Sequence, residues 1–230
     1  MLLNDKNTIK QGFNYLSSDP IMNFFIKNFG DEIDALDRYD DNFAIALCNL
    51  IIEQQISFKA AITIKKKFAN LIKSFSNKEI IKLDNDTIKS IGLSYRKVSY
   101  IKNILRFFEE EKIEFNKLND EGITKKLCSI KGIGPWTAEM FLLFIFHRPD
   151  IFSFGDIALI NSVKKNYGIE NTSEIKKLTL MWKPYRSIAS LLLWKSIENQ
   201  VYYKKLRHSS KKKRGNPSRL TPFLVWFCVF

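Results

Sequence analysis

Apolar positions along this chain recur at three- and four-residue spacing. Ala61, Ile64, Phe68 and Leu71 form one such stripe and Val98, Ile101, Leu105 and Phe108 another, and segments 157–163 and 188–193 continue the pattern. That period lays one face of an α-helix against a core. Residues 43–52 are apolar almost all round, which predicts a helix buried between its neighbours. No segment shows the every-second-residue alternation of a half-buried strand. Helix starts are marked as well: Asp19-Pro20 reads as an N-cap followed by proline at the first helical position, Ser94 as the cap of a long amphipathic segment, and Pro184 as the start of the last core helix. The pattern predicts an all-α body of about eight to ten helices.

The 230 residues, 45% of them hydrophobic, suffice for one sizeable domain or two small ones. The net charge of +13 invites a polyanionic partner, but residues 204–219 hold eight of the cations and no acid, and +13 less those eight leaves +5 on the body. Charge alone is a modest argument for DNA. Segment 209–218 is loop by composition, and its block Lys211 to Arg214 reads more simply as a solvated arm than as a phosphate-seeking tail or a nuclear signal. The stretch Leu220 to Phe230, with Pro222 inside it, is about half the ~20 residues a membrane span needs, and a dispensable extension is expected there. Three scattered cysteines, Cys48, Cys128 and Cys228, argue against a disulfide framework and are too few for a four-cysteine iron–sulfur cluster. Two histidines and dispersed cysteines give no side-chain metal spacing. Met1 to Lys6 shows no secretory head, so a cytoplasmic or nucleoid protein is expected, nuclear in a eukaryote.

The densest information lies between Leu127 and Asp156. Lys131-Gly132-Ile133-Gly134-Pro135 separates two helical segments, and Trp136-Thr137-Ala138 opens the second. Glycines on both sides of Ile133 are expected to take backbone conformations that a side chain forbids, and Pro135 suits a first helical turn. Outward-pointing amides at the positive end of a helix then make a seat for a phosphate that reads no sequence. Asp156, after Phe154-Gly155, stands beyond that hairpin.

Lys131 to Ala138 with Asp156 downstream resembles the helix-hairpin-helix superfamily of DNA glycosylases. Three further blocks resemble its alkylated-base branch, the 3-methyladenine DNA glycosylase II enzymes: Ile51 to Ala61 with Glu53-Gln54-Gln55 at its centre, Gly92 to Lys97, and Trp182 to Ala189. Together they cover roughly residues 20 to 200. The resemblance implies two helical subdomains flanking a cleft for DNA and a flipped base. A middle bundle of about residues 40–125 would face a second made of 1–39 and 126–205, with the helix-hairpin-helix near 123–145 and a basic tail over 206–230. It also implies a monomer acting on damaged double-stranded DNA with no membrane.

By the same resemblance Asp156 is the catalyst: cleaving an N-glycosidic bond builds positive charge on the sugar, which a fixed carboxylate stabilises while it orients or deprotonates water. The plainer reading of Asp156 is a helix N-cap, and both hold together. Trp136 occupies the position of the lysine with which lyase-competent relatives form a Schiff base, so hydrolysis without strand cleavage is implied; an ordinary core aromatic is the alternative. Trp136, Met140 and Trp194 are the implied base pocket, with Met140 replacing a tyrosine of at least one branch. Two indole faces suit a cationic base. Trp182, Tyr185 and Arg186 are assigned to packing and backbone contacts. Gln54 and Gln55 match the minor-groove segment that fills the gap of an extruded nucleotide, or else form a solvated turn. Glu53 stands where glycine is common, and Lys59 or another cation is expected to neutralise it. Lys131, Gly132, Ile133, Gly134 and Thr137 are the implied phosphate contacts, and the main-chain carbonyls of Cys128, Ile130 and Ile133 the implied holders of a structural monovalent cation. The activity implied is excision of alkylated purines, chiefly 3-methyladenine with 7-methylguanine as a further candidate. Excision of deaminated or oxidised bases, or DNA binding without catalysis, are the alternatives.

Overall fold

The computed structural model describes residues 1–203 apart from residue 37. The basic block 211–214, the apolar stretch 220–230, Cys228 and the tail boundary at 206 lie outside the described residues. The described chain folds into α1 (Lys6–Leu16), α2 (Pro20–Phe29), α3 (Phe43–Glu53), α4 (Phe58–Ile72), α5 (Asn77–Lys82), α6 (Asn85–Lys89), α7 (Tyr95–Glu110), α8 (Asp120–Cys128), α9 (Pro135–Phe144), α10 (Ile157–Tyr167), α11 (Thr172–Leu180) and α12 (Arg186–Glu198). The all-α expectation holds. The helices outnumber the expected eight to ten because α5 and α6 are single short turns with one buried residue each, Ile80 and Ile88, too few to form a periodic stripe.

Local chemistry explains most helix starts. Ten of the twelve helices begin at an Asp, Asn or Ser whose side chain accepts from first-turn amides, as Asp19 does from Ile21 and Met22 and Ser94 does from Lys97. The exceptions are α9, which starts at Gly134 with no side-chain cap, and α12. Pro184 marks the entry to α12 less closely than expected, since the helix opens at Arg186 after a cis Lys183–Pro184 bond.

The α3 helix buries Ala44, Ala46, Leu47, Cys48, Leu50, Ile51 and Ile52, as its all-round apolarity predicts, and packs against α4, α7 and α9. Helices α5 and α6 complete this group against α7, while α1, α2, α10 and α11 gather on or beside α12. The α8–α9 pair joins the first group through α9 on α3. Phe43, Phe115, Phe141 and Phe146 interlock at that junction with ring centroids 5.3–6.2 Å apart. No helix among the described residues is long and apolar enough to cross a membrane.

The second group is tied by Asp19. One carboxylate oxygen caps α2; the other accepts from the Tyr167 hydroxyl at 2.7 Å and the Trp182 indole at 3.2 Å. Trp182 is buried, as its assignment to packing requires, and Arg186 grips Asp150 through both the carboxylate and the carbonyl. Replacing Asp19 with alanine removes the cap and strands two donors, so a loss of roughly 2–4 kcal/mol is expected by urea unfolding. Asp19→Asn, which keeps an acceptor, should lose clearly less.

Candidate active site

The hairpin between α8 and α9 is built on one obligatory glycine. Gly132 has φ +110°, and a Cβ there would lie 2.3 Å from the Tyr100 ring. Gly134 corrects the expectation of two forbidden conformations: its φ is −104°, and a Cβ would meet nothing within 4 Å. Its bareness leaves an open face. Ile133 is corrected too, because its side chain is buried and its N–H is spent on the Ile130 carbonyl at 3.0 Å. The amides that remain are those of Gly132 and Gly134 and of the uncapped first turn of α9, whose Pro135 has no N–H to lose. Lys131 is exposed, its carbonyl accepting from Asn103.

Asp156 caps α10, accepting from the Leu159 amide at 2.8 Å, and its second oxygen accepts from the Trp136 indole at 3.1 Å. The Trp194 indole N–H is buried beside the same carboxylate without a hydrogen-bond partner of ordinary geometry. Asp156 is fully buried, and burial raises its pKa above 3.8 against the opposing pull of Leu159, Trp136, Trp194 and the positive charge of Arg38. The cap expected of Asp156 is present, and each of its oxygens is engaged by a different helix.

A second carboxyl group escaped the sequence reading. Glu139 lies one helical turn past Trp136 on the same face of α9, and it accepts a hydrogen bond from Ser153. Burial, and then the charge of Asp156, raise its pKa, while Ser153 opposes the shift. Its spacing from Trp136 was the available signal.

A cavity of about 380 Å³ opens beside these groups, within the size range of ligand pockets. Trp136, Glu139 and Gly155 line it, with the hairpin glycines and the adjoining Tyr100 as one rim and the Gln54–Gln55 turn with Arg96 as the other. Asp156 sits immediately behind Trp136 and Gly155. Of the three expected pocket residues only Trp136 lines this cavity. Met140 and Trp194 are buried, and Trp194 stacks on Phe144 at 6.0 Å, whose ring carries the Arg38 guanidinium at 4.2 Å. Of the two indoles expected in the pocket, one lies at the cavity and the other beside the buried carboxylate.

The two glutamines separate. Gln54 is half-buried and donates to the Thr137 hydroxyl at 2.9 Å, whereas Gln55 is exposed with φ +58°. Thr137, expected on the surface as a phosphate donor, is 1% exposed and braces Gln54. Glu53 is neutralised by two cations other than Lys59, Lys65 at 2.6 Å and Arg38 at 3.3 Å. Around the hairpin the carbonyls of Cys128, Ile130 and Ile133 are hard oxygen donors, that of Ile130 already accepting from Ile133.

Comparison with known proteins gives a consistent family. The model of the HhH-GPD superfamily base excision DNA repair protein matches residues 48–187. A Bacillus subtilis protein named provisionally as a DNA-3-methyladenine glycosylase is 33% identical over 162 residues, which are 64% of this chain and 56% of that protein. The chain thus spans just over half the length of that relative. DNA-3-methyladenine glycosylase 1 of Schizosaccharomyces pombe is 30% identical over 175 residues, 70% of this chain and 75% of the relative. The solved structure of a 3-methyladenine DNA glycosylase from the same yeast, in complex with abasic DNA, matches with a TM-score of 0.74 and 26% identity, covering 84% of this chain and 100% of that one.

The hairpin geometry separates its two glycines experimentally. Gly132→Ala should unfold at lower temperature, since the left-handed backbone costs on the order of 1 kcal/mol before the Tyr100 clash is added. Gly134→Ala should keep the wild-type melting temperature. Equal melting of the two variants would contradict the assigned roles.

Proposed function

The chain belongs to the HhH-GPD superfamily of base excision DNA repair proteins, and we propose that it is a monofunctional glycosylase that excises alkylated purines, chiefly 3-methyladenine and also 7-methylguanine, from double-stranded DNA. The observation that carries this reading is the buried Asp156 carboxylate, hydrogen-bonded to Trp136 directly behind the wall of a cavity that opens beside the hairpin.

In this mechanism the uncapped first turn of α9 and the open face at Gly134 hold a phosphate. Gln55 enters the minor groove from the opposite rim, and the lesion swings toward Trp136. An alkylated purine is already cationic, so the N-glycosidic electron pair leaves with the base without a dedicated acid. The sugar is left as an oxocarbenium-like cation, which Asp156 stabilises at close range in a water-poor setting. Water attacks the sugar carbon and gives up a proton to the carboxylate. Trp136 has no amine for Schiff-base chemistry, so the product is an abasic site in an uncut strand. Glu139 adds a second negative group that favours a cationic base. A monovalent cation held by the carbonyls of Cys128, Ile130 and Ile133 would stiffen the hairpin, and the three hard oxygens suit one. The proposed enzyme acts as a monomer in the compartment that holds the chromosome, with no iron–sulfur cluster.

The test is base release from duplexes that each carry one defined lesion. Asp156→Asn should lose about two to three orders of magnitude in rate while retaining DNA binding, and the strand should stay intact. Release at the wild-type rate in that variant refutes the catalyst, strand cleavage refutes the assignment of Trp136, and binding without release by the wild type leaves a DNA-binding module.

The raised carboxyl pKa values set a pH dependence. Asp156 works ionised, so kcat/KM should fall as pH drops through a midpoint above 3.8. The charge of Asp156 in turn raises the Glu139 pKa, so Asp156→Asn should lower the Glu139 titration followed by carboxyl NMR, and an unmoved titration would separate the two carboxyls.

A further inference from the structure

The exposed Gln55 sits at the edge of the cavity in a left-handed conformation that non-glycine residues avoid, so something outside the turn holds it there. The α3 helix ends abruptly: Gln54 leaves it extended, with ψ 132°, and Gln55 then reverses. A helix that stops in this way leaves its last carbonyls without amides, and glycine is the usual remedy. Here the remedy comes from α7. The Lys97 ammonium donates to the Ile52 carbonyl at 2.9 Å and the Gln54 carbonyl at 2.6 Å, bridging the last turn of the helix and the residue just before Gln55.

We infer that Lys97 is the positioning residue of the groove-entering turn, clamping the main chain on both sides of Glu53 so that the Gln55 side chain is already presented before DNA arrives. The neighbouring contacts divide the work. Thr137 holds the Gln54 side chain from α9, and the Arg96 guanidinium reaches the Gln55 amide oxygen at only 3.4 Å, too long to fix it. The carboxylate of Glu53 is taken by Lys65 and Arg38. Lys97 binds the backbone of the turn. Burial, with Arg96 adding repulsion, pulls its pKa down to about 8, so at neutral pH the ammonium is still charged and its bonds carry charge assistance. Pre-organisation of this kind lowers the ordering cost of inserting a side chain into DNA.

The inference rests on the reading of this turn as the segment that meets the minor groove, and its test has one arm free of DNA. In the free protein, Lys97→Met should speed amide exchange across residues 54–57 by about tenfold or more, the loss expected for two charge-assisted hydrogen bonds, while residues 135–167 keep their protection. On DNA, the same variant should weaken binding to a duplex with a tetrahydrofuran abasic-site analogue by about tenfold and leave affinity for undamaged duplex unchanged. The fluorescence of 2-aminopurine opposite the analogue, which reports filling of the gap, should change in parallel. Lys97→Arg, which keeps the charge, should recover most of both effects. Unchanged exchange at the turn overturns the inference, and so does an equal loss on both duplexes, which would make Lys97 an ordinary phosphate contact. Failure of the wild type to release any base would refute the proposed function while leaving the exchange result to decide the role of Lys97.

Discussion

The hydrogen bond from the Trp136 indole to Asp156 joins the first turn of α9 to the first turn of α10, and the rest of the site is arranged around it. A carboxylate wholly removed from water is costly unless its oxygens are occupied. Here Leu159 takes one oxygen and Trp136 the other, and both donors sit at helix starts whose positions are set by the core. The bond therefore does more than hold a side chain. It ties the first turn of α9 to the cap of α10, with the cavity beside Trp136 and Gly155.

That arrangement keeps the carboxylate charged but poorly solvated, the state in which it gains most from a positive charge appearing nearby. The positive charge of Arg38, seated on Phe144, opposes the rise that burial imposes on Asp156, while the charge of Asp156 in turn raises the pKa of Glu139. Trp194 contributes from behind the carboxylate, its N–H waiting beside the acid and its ring stacked into the core. In the proposed reaction an electron-poor base is favoured by this electrostatic setting more than by any single wall.

The two rims of the cavity are rigid for different reasons. The hairpin is fixed by sterics, with Gly132 pressed against Tyr100 and Ile133 bonded back to Ile130. The opposite rim is fixed by a lysine from a neighbouring helix and by a side-chain bond across to Thr137. Because Thr137 belongs to α9, the two rims are also linked to each other.

The sequence by itself determined the helical class, the buried α3, the capping of α2, α7 and α10, and the hairpin followed by an acid, because each is a local pattern: apolar period, cap chemistry, and glycine and proline at fixed offsets. The short helices α5 and α6 were illegible, since one buried residue leaves no period. Tertiary structure alone decided which groups meet. That Glu139 stands near Asp156, that Gln54 turns inward while Gln55 faces out, that Thr137 is buried, that Trp194 lies beside the acid while Trp136 lies at the cavity, and that Lys97 reaches across 43 residues of chain to Gln54 all depend on helix packing between distant segments. Residue type reveals what a side chain is able to do; the packing of α3, α7, α9 and α10 selects the partner with which it does it.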